Sequence, residues 1–489
     1  MGRNRSRSRD RDPRRDRDRG RRTGGRRETW RLAGAQVRQQ PAAFVAVAAT
    51  TLLAVATVTL FATLIAGDVA TPARLKDQAP GEDGLGVIAG IFAEGAIIVS
   101  LLVMVNCVGF AVRRQLRELA LLRTIAATPR QIRMLVRRQV LTVVAVVAPP
   151  GWVLGWLGAH RLLPALKDHG YAAEAVDVPV TPLPLVLAVA ASAVIVVGAA
   201  AIASRRATRG TPAEALADTA SEPRRVDGLR RVLGGVALAA VGVLTLINLG
   251  RGGADAADGA FPVLLAGLAA LAVLGPLAAG RVASWLGAVP RRVSPRIGWL
   301  ADAHLQGHVR RLTAAVIPLA VLGALAVNFL LIPPTLARAG VGAGAEASSG
   351  FADPDENWLR LVELAMFGLI AGVAVVNTLV ALTIDRRHEL RLLQLLGATD
   401  RELLRVLTVE SALVVAVGLV LAVAAGGLSL VTFSHGVTGS PLPSVPMARV
   451  LAIVAAASAL AVPSVLVSGR MTLQSLGRSD HALAAPATP

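Results

Sequence analysis

The chain has 489 residues, of which 54% are hydrophobic, and a formal net charge of +19. Its apolar residues form long blocks, a pattern that excludes an ordinary soluble globular domain. Most of the 51 Lys and Arg residues lie between these blocks on one predicted side of a membrane. Membrane topology therefore explains the positive charge, and no nucleic-acid partner is expected.

Ten apolar runs are long enough to cross a bilayer as helices, because roughly 20 apolar residues span a hydrocarbon core of about 30 Å. The predicted spans are 42–66, 86–112, 139–159, 182–203, 232–249, 261–280, 312–332, 359–384, 408–433 and 447–468. The chain is therefore predicted to be an all-α integral membrane protein that crosses the plasma membrane about ten times. The positive-inside rule places both termini in the cytoplasm.

Two tails flank the predicted spans. Segment 1–40 is predicted to be a basic cytoplasmic tail with a helix that leads into span 1, and 476–489 a disordered C-terminal tail. Residues 1–31 mix Arg with Asp, Ser and Gly and have almost no apolar side chains, a composition typical of disorder. Two interpretations of the basic tail stay open: a solvated anchor, or contact with anionic lipid headgroups.

An internal repeat relates the segments that follow spans 2 and 8. RRQLRELALLRTIAATPRQIRMLVRRQ aligns with DRRHELRLLQLLGATDRELLRVLTVE at a constant offset of 271 residues, which pairs Glu118 with Glu389. The repeat predicts a 4+2+4 arrangement of helices. The first module covers 41–211, a linker with spans 5 and 6 inserted between the halves covers 212–310, and the second module covers 311–475.

Each copy predicts a helix, a sharp turn and a second helix. Three apolar residues at helical spacing form a stripe in each copy, namely Leu119, Leu122 and Ile125, and Leu390, Leu393 and Leu396. Spans 2 and 8 are therefore predicted to continue past the membrane. Thr128 precedes Gln131 and Thr399 precedes Glu402 by three positions, which predicts a capping box in each copy. A short amphipathic helix is expected to follow each box and lead into span 3 or span 9.

At these residues the sequence resembles the FtsX-like permease family, the membrane subunits of one class of ABC transporters. RELALLRTIAATPRQI is similar to that family's cytoplasmic signature, and HELRLLQLLGATDREL retains the signature glycine at Gly397, where the first copy has Ala126. The resemblance covers roughly 41–211 and 311–475. It implies the permease subunit of an ATP-driven ABC transporter that exports or extracts a membrane-associated or amphiphilic substrate. Two alternatives stay open: a non-transporting FtsX-type regulator of a cell-wall hydrolase or sensor kinase, and an ion-coupled secondary transporter.

The resemblance also implies that 118–131 and 389–402 are coupling helices, which dock onto a separate cytoplasmic ABC ATPase. Two ATPase copies would bind one chain, a monomeric pseudo-dimer. The implied docking residues are Glu118, Leu119, Leu122, Arg123, Thr128, Arg130, Glu389, Leu390, Leu393, Gly397, Thr399 and Arg401. For Glu118 and Glu389, local charge balance with nearby basic residues is the open alternative.

The sequence carries no sign of its own catalysis. It has no G-x-x-x-x-G-K-[ST] motif, and its only lysines, Lys76 and Lys167, lie in predicted external loops, so it cannot supply a P-loop. The chain is therefore not expected to be an enzyme. ATP and Mg²⁺ are expected in the partner ATPase, and neither a cofactor nor a metal is expected to bind this chain.

Glu94 and Glu363 are candidate substrate-facing residues. They lie in the outer thirds of spans 2 and 8, where an ionisable group is costly and usually faces a cavity or a partner. Snorkelling to the interface or pairing with an external Arg is the alternative. The loops Asp68–Leu85 and Pro333–Trp358 are too short for a large extracytoplasmic domain, unlike those of many relatives, which favours a substrate taken from within or just outside the membrane.

Overall fold

The structure is a computed structural model that describes residues 41–72, 85–115, 119, 121, 128–179, 183–207, 224–251, 254–288, 309–338 and 354–484. Within these residues the chain forms eleven helices and no strand. The helices are α1 (Pro41–Ala70), α2 (Leu85–Arg114), α3 (Pro129–Asp168), α4 (Leu183–Ala207), α5 (Arg224–Leu249), α6 (Ala254–Leu286), α7 (Val309–Arg338), α8 (Pro354–Asp385), α9 (Arg387–Leu395), α10 (Asp400–Thr438) and α11 (Met447–Ala484).

The predicted spans become helices because a helix satisfies its own backbone hydrogen bonds where lipid offers no partner. Among the described residues, nine helices are long and apolar enough to cross a membrane. The remaining predicted span corresponds to α4, whose apolar part, Val186–Ala201, is shorter. The all-α, multi-pass membrane architecture is thus confirmed. The sequence between α1 and α2 covers only 71–84, and that between α7 and α8 only 339–353, which leaves no large domain there.

Helices α1–α4 pack in the same way as α7, α8, α10 and α11. In the first module, α1 contacts α2, α3 and α4, and α4 also contacts α2 and α3. In the second module, α7 contacts α8, α10 and α11, and α11 also contacts α8 and α10. Every helix pair of one module therefore recurs in the other, which confirms two repeated four-helix modules.

The two modules meet through their first two helices. α1 contacts α8, α7 contacts α2, and α2 contacts α8. Equivalent helices exchange partners in this way when two units are related by a two-fold axis. His169, which follows α3, stacks on Trp358 in the first turns of α8, with ring centroids 4.2 Å apart and 10° between the ring planes.

Equivalent glycines allow a close helix crossing in each module. A Cβ on Gly155 of α3 would lie 2.3 Å from the carbonyl oxygen of Ala56 on α1. A Cβ on Gly426 of α10, at the 271-residue offset, would lie 2.9 Å from the Ala324 carbonyl oxygen of α7, and the Asn328 side chain donates a hydrogen bond of 3.0 Å to the Gly426 carbonyl. Small residues let membrane helices approach each other and gain van der Waals contact.

The linker helices α5 and α6 pack on the second module. α6 lies along α10 and α7, and α5 covers α6 and part of α10. The Ser429 hydroxyl donates a hydrogen bond of 2.7 Å to the Ala260 carbonyl, and a Cβ on Gly267 would lie 2.2 Å from the Ala425 carbonyl oxygen. The pair is inserted between the halves in sequence but belongs to the second half in space.

One tail prediction is wrong for part of its length. Helix α11 continues to Ala484, so 476–484 is helical and does not belong to a disordered tail. Extending an existing helix adds a hydrogen bond per residue without the cost of nucleation. The predicted basic tail and leading helix at 1–40 lie outside the described residues.

Candidate functional site

The two repeat segments form the candidate site, and we name 115–132 the first hinge and 386–403 the second hinge. The second hinge is described throughout. Helix α8 ends at Asp385, Arg386 is outside the helices, and the short helix α9 follows at once. An unbroken span 8 with a short helix after the turn was predicted, and this is wrong. The break turns the Arg386 side chain into the protein, and α10 runs unbroken from Asp400 to Thr438.

Helix α9 ends in a Schellman motif. The Ala398 amide donates to the Leu393 carbonyl at 3.0 Å, and the Gly397 amide donates to the Gln394 carbonyl at 2.9 Å. Gly397 has a φ of +93°, in the left-handed region that glycine adopts without a Cβ penalty. The Gln394 side chain also donates to the Asp400 carboxylate at 2.8 Å, which joins α9 to α10 across the turn.

Both predicted capping boxes are confirmed. At the second hinge, the Thr399 amide donates to the Glu402 carboxylate at 2.9 Å, and the Glu402 amide donates to the Thr399 hydroxyl at 3.4 Å. At the first hinge, Thr128 and Gln131 make the same reciprocal bonds, at 2.8 and 3.3 Å. Each box satisfies two amides that would otherwise lack a partner at the start of a helix.

Buried aliphatic side chains hold each hinge against the membrane helices. Leu390 of α9 packs with Leu403 of α10 and Leu473 of α11, and all three are buried. In the first hinge, Leu119 and Ile132 occupy the positions equivalent to Leu390 and Leu403, and both are buried. These residues position the hinge, and because they are buried they cannot themselves contact a partner protein.

A different set of leucines is exposed at the second hinge. Leu392, Leu395 and Leu396 are 48%, 74% and 84% exposed. Leu121 of the first hinge, which is equivalent to Leu392, is 49% exposed. Leu396 was predicted to share the stripe of Leu390 and Leu393, but it follows the end of α9, where the turn carries it outward. We name Leu392, Leu395 and Leu396 the leucine patch.

The remaining predicted docking residues divide into three groups. Arg130 and Arg401 are exposed in the first turns of α3 and α10, and Leu393 is half-buried under the turn. Glu389 is half-buried and already has an interaction within the chain. Glu118, Leu122 and Arg123 lie outside the described residues.

A buried ion pair at the second hinge escaped the sequence analysis. Arg386 and Glu410 are 7% and 5% exposed, and the Arg386 guanidinium donates a hydrogen bond to the Glu410 carboxylate of α10. Burial of a charge is costly unless an opposite charge accompanies it. No local pattern marks the pair, because its members lie 24 residues apart on different helices; the repeat offset shows only that the equivalent positions, Gln115 and Gln139, are also polar.

The two candidate substrate-facing glutamates differ in environment. Glu94 of α2 is exposed on the helix surface, whereas Glu363 of α8 is 5% exposed. A Cβ on Gly95 of α2 would lie 3.6 Å from Oε1 of Glu363, so this carboxyl lies where the two modules meet. Among the described residues, the Oε1 atom of Glu363 has no hydrogen-bond partner.

Comparison with known proteins gives one family. The family model described as FtsX-like permease C-terminal matches two segments of the chain, residues 90–212 and 361–475. Each matched segment begins in the second helix of a module, contains a hinge and ends in or just after the module's last helix. No curated protein matches the chain.

Proposed function

The chain belongs to the FtsX-like permease family and is a membrane permease component of an ABC-type system. On this premise we propose that it couples ATP hydrolysis by a separate cytoplasmic ATPase to the export or extraction of a membrane-associated or amphiphilic substrate. Proteins of this family generally work with a cytoplasmic ABC ATPase. The chain itself would not be an enzyme. ATP and Mg²⁺ would bind the partner, two copies of which would meet the two hinges of one pseudo-dimeric chain.

The leucine patch is the observation that carries this proposal. Its side chains protrude at a helix end whose other residues are held rigidly by the Schellman motif, the capping box and the buried Leu390 cluster. Clustered exposed apolar side chains rimmed by polar groups mark interaction surfaces. Arg387, Arg391 and Arg401 flank the patch, and basic residues at a membrane end favour the cytoplasmic side. A cytoplasmic ATPase with an apolar groove and an acidic rim fits this surface.

The hinges suit a mechanical role because each connects two membrane helices directly. α9 is joined to α8 through Arg386 and to α10 through the short turn at 396–399, so a force on α9 reaches both helices. Movement of α8 would change its contact with α2 and thus the junction of the modules. Hydrolysis in the partner would therefore act on the substrate through helix movement.

Copurification tests the docking surface. The L395D–L396D double variant should bind about 100-fold less of its cytoplasmic ABC ATPase, because burying two leucines is worth about 3 kcal/mol. L442D is the matched control: Leu442 is 69% exposed but lies beyond the far end of α10. Equal ATPase binding by the wild type and L395D–L396D would overturn the proposal.

A separate experiment reverses the charges of Glu118 and Glu389. Unchanged ATPase binding and unchanged ATPase stimulation would remove these two glutamates from the docking surface.

Glu363 is proposed as the substrate-facing residue of the pair identified in the sequence. Its carboxyl lies at the junction of α2 and α8, where movement of the modules would expose it to a cationic or hydrogen-bond-donating headgroup. E363Q should lower transport and leave ATPase binding unchanged, whereas E94Q should change neither.

Substrate movement into or out of proteoliposomes distinguishes a transporter from a non-transporting regulator. An ATP-dependent phenotype without any substrate movement would favour the regulator.

A further inference from the structure

The buried ion pair ties the start of α9 to the body of α10. Arg386 lies between α8 and α9, and its guanidinium reaches Glu410, 24 residues further along the chain. Both side chains are removed from water, at 7% and 5% exposure. The pair therefore connects the three helices α8, α9 and α10 at one point.

The first hinge has the same positions with different chemistry. At the 271-residue offset, Gln115 replaces Arg386 and Gln139 replaces Glu410. Both glutamines are buried, at 4% and 1% exposure. At these two aligned positions both hinges bury their side chains, while opposite charges stand only in the second.

These two chemistries resist separation to different degrees. Pulling a buried carboxylate away from its guanidinium leaves two uncompensated charges in a medium of low polarity. Neutral amides carry no net charge, so their rearrangement costs much less, and each amide can exchange one hydrogen-bond partner for another. The second hinge should therefore move as one body with α10, and the first hinge should yield to the same force.

We propose that Arg386 and Glu410 are positioning residues that lock α9 to α10, so that the two hinges are mechanically unequal and substrate movement is driven mainly through the second module. The role in substrate movement rests on the proposed function. The unequal stiffness of the hinges is a property of the chain alone. The first hinge provides a reference within the same protein, because it has neutral glutamines at the two equivalent positions.

Spin-label distances in lipid nanodiscs test the lock without any ATPase. Labels at L392C and R405C report the second hinge, and L121C and M134C report the equivalent positions of the first; all four side chains are exposed, and the native Cys107 is buried. The second-hinge distance distribution should be narrower than the first. R386Q–E410Q, which copies the chemistry of the first hinge, should broaden the second-hinge distance distribution to the width seen at the first hinge. The charge swap R386E–E410R should keep that distribution narrow. Equal widths at the two hinges, or no broadening in R386Q–E410Q, would overturn the lock.

Substrate movement per ATP tests the unequal drive. R386Q–E410Q should bind the ATPase normally yet move about tenfold less substrate per ATP, a size typical of coupling between sites. R386E–E410R should restore coupling, and the neutral change Q115N–Q139N should alter it much less. Full coupling in R386Q–E410Q, or an equal loss in Q115N–Q139N, would contradict the proposal. If no ATPase bound the wild type, the proposed function would fail, but the distance distributions would still decide whether the lock exists.

Discussion

Replacement of Gly397 by alanine is the most direct test of the turn that ends α9. Gly397 has a φ of +93°, and an added Cβ would meet no atom of the described residues within 4 Å. The substitution therefore changes backbone preference and creates no clash. Its cost is that of holding an L-residue in the left-handed region, about 1–2 kcal/mol.

The expected effect follows from that free energy. A cost of about 1–2 kcal/mol raises the population of the opened turn about 5- to 30-fold, since every 1.4 kcal/mol is a factor of ten. The Gly397 and Ala398 amides report the opening because they donate the two hydrogen bonds of the Schellman motif. Their hydrogen exchange in G397A, measured in lipid nanodiscs, should be faster by this factor, provided that exchange follows local opening.

A second glycine provides the control. Gly439 ends α10 with a φ of +67°, and its amide donates to the His435 carbonyl at 2.9 Å. No atom in the described part of the chain lies within 4 Å of an added Cβ there. G439A should accelerate exchange at its own amide and leave the turn at Gly397 unchanged. If G439A shows the acceleration and G397A does not, the reasoning about the Gly397 turn is refuted.

Three further substitutions test separate parts of the structure. T399A removes one capping box and should destabilise the first turn of α10 by about 1 kcal/mol, measured by amide exchange there; unchanged exchange would deny the box a stabilising role. G155A pushes a Cβ against a backbone carbonyl of α1 and should lower the free energy of unfolding in detergent by about 1–3 kcal/mol, whereas G198A, with open space around it, should not. E410A leaves Arg386 buried without its carboxylate and should cost about 3–5 kcal/mol in the same assay, more than R386Q–E410Q; the reverse order would contradict the buried ion pair.

The capping boxes are a feature that local sequence alone predicts. Thr128 with Gln131, and Thr399 with Glu402, form reciprocal bonds between residues three positions apart, so spacing alone was sufficient to predict them. The long apolar runs were equally informative, because lipid leaves the backbone no stable alternative to the helix in such a chain. The constant repeat offset likewise predicted the two modules.

The leucines of the second hinge show what local sequence cannot predict, namely which side chains of a helical stripe are buried. Leu390, Leu393 and Leu396 share a helical stripe, yet the first is buried under α10 and α11 and the last is 84% exposed. Helical spacing defines which residues share a face, but it says nothing about what packs against that face or where the helix ends. The break at Arg386 was unpredictable for the same reason, since it accompanies a contact with Glu410 on another helix.

The sequence by itself determined the membrane class, the number of apolar runs, the two modules and the turn chemistry of the hinges, because each of these depends on residues adjacent in the chain or on the repeat. Only the tertiary structure decided that α5 and α6 pack on the second module, that Glu363 lies at the junction of the modules, and that Arg386 meets Glu410. Those features depend on which apolar faces find each other, and many pairings of similar apolar helices satisfy the same local pattern. Close packing and the cost of a buried unpaired charge select among them.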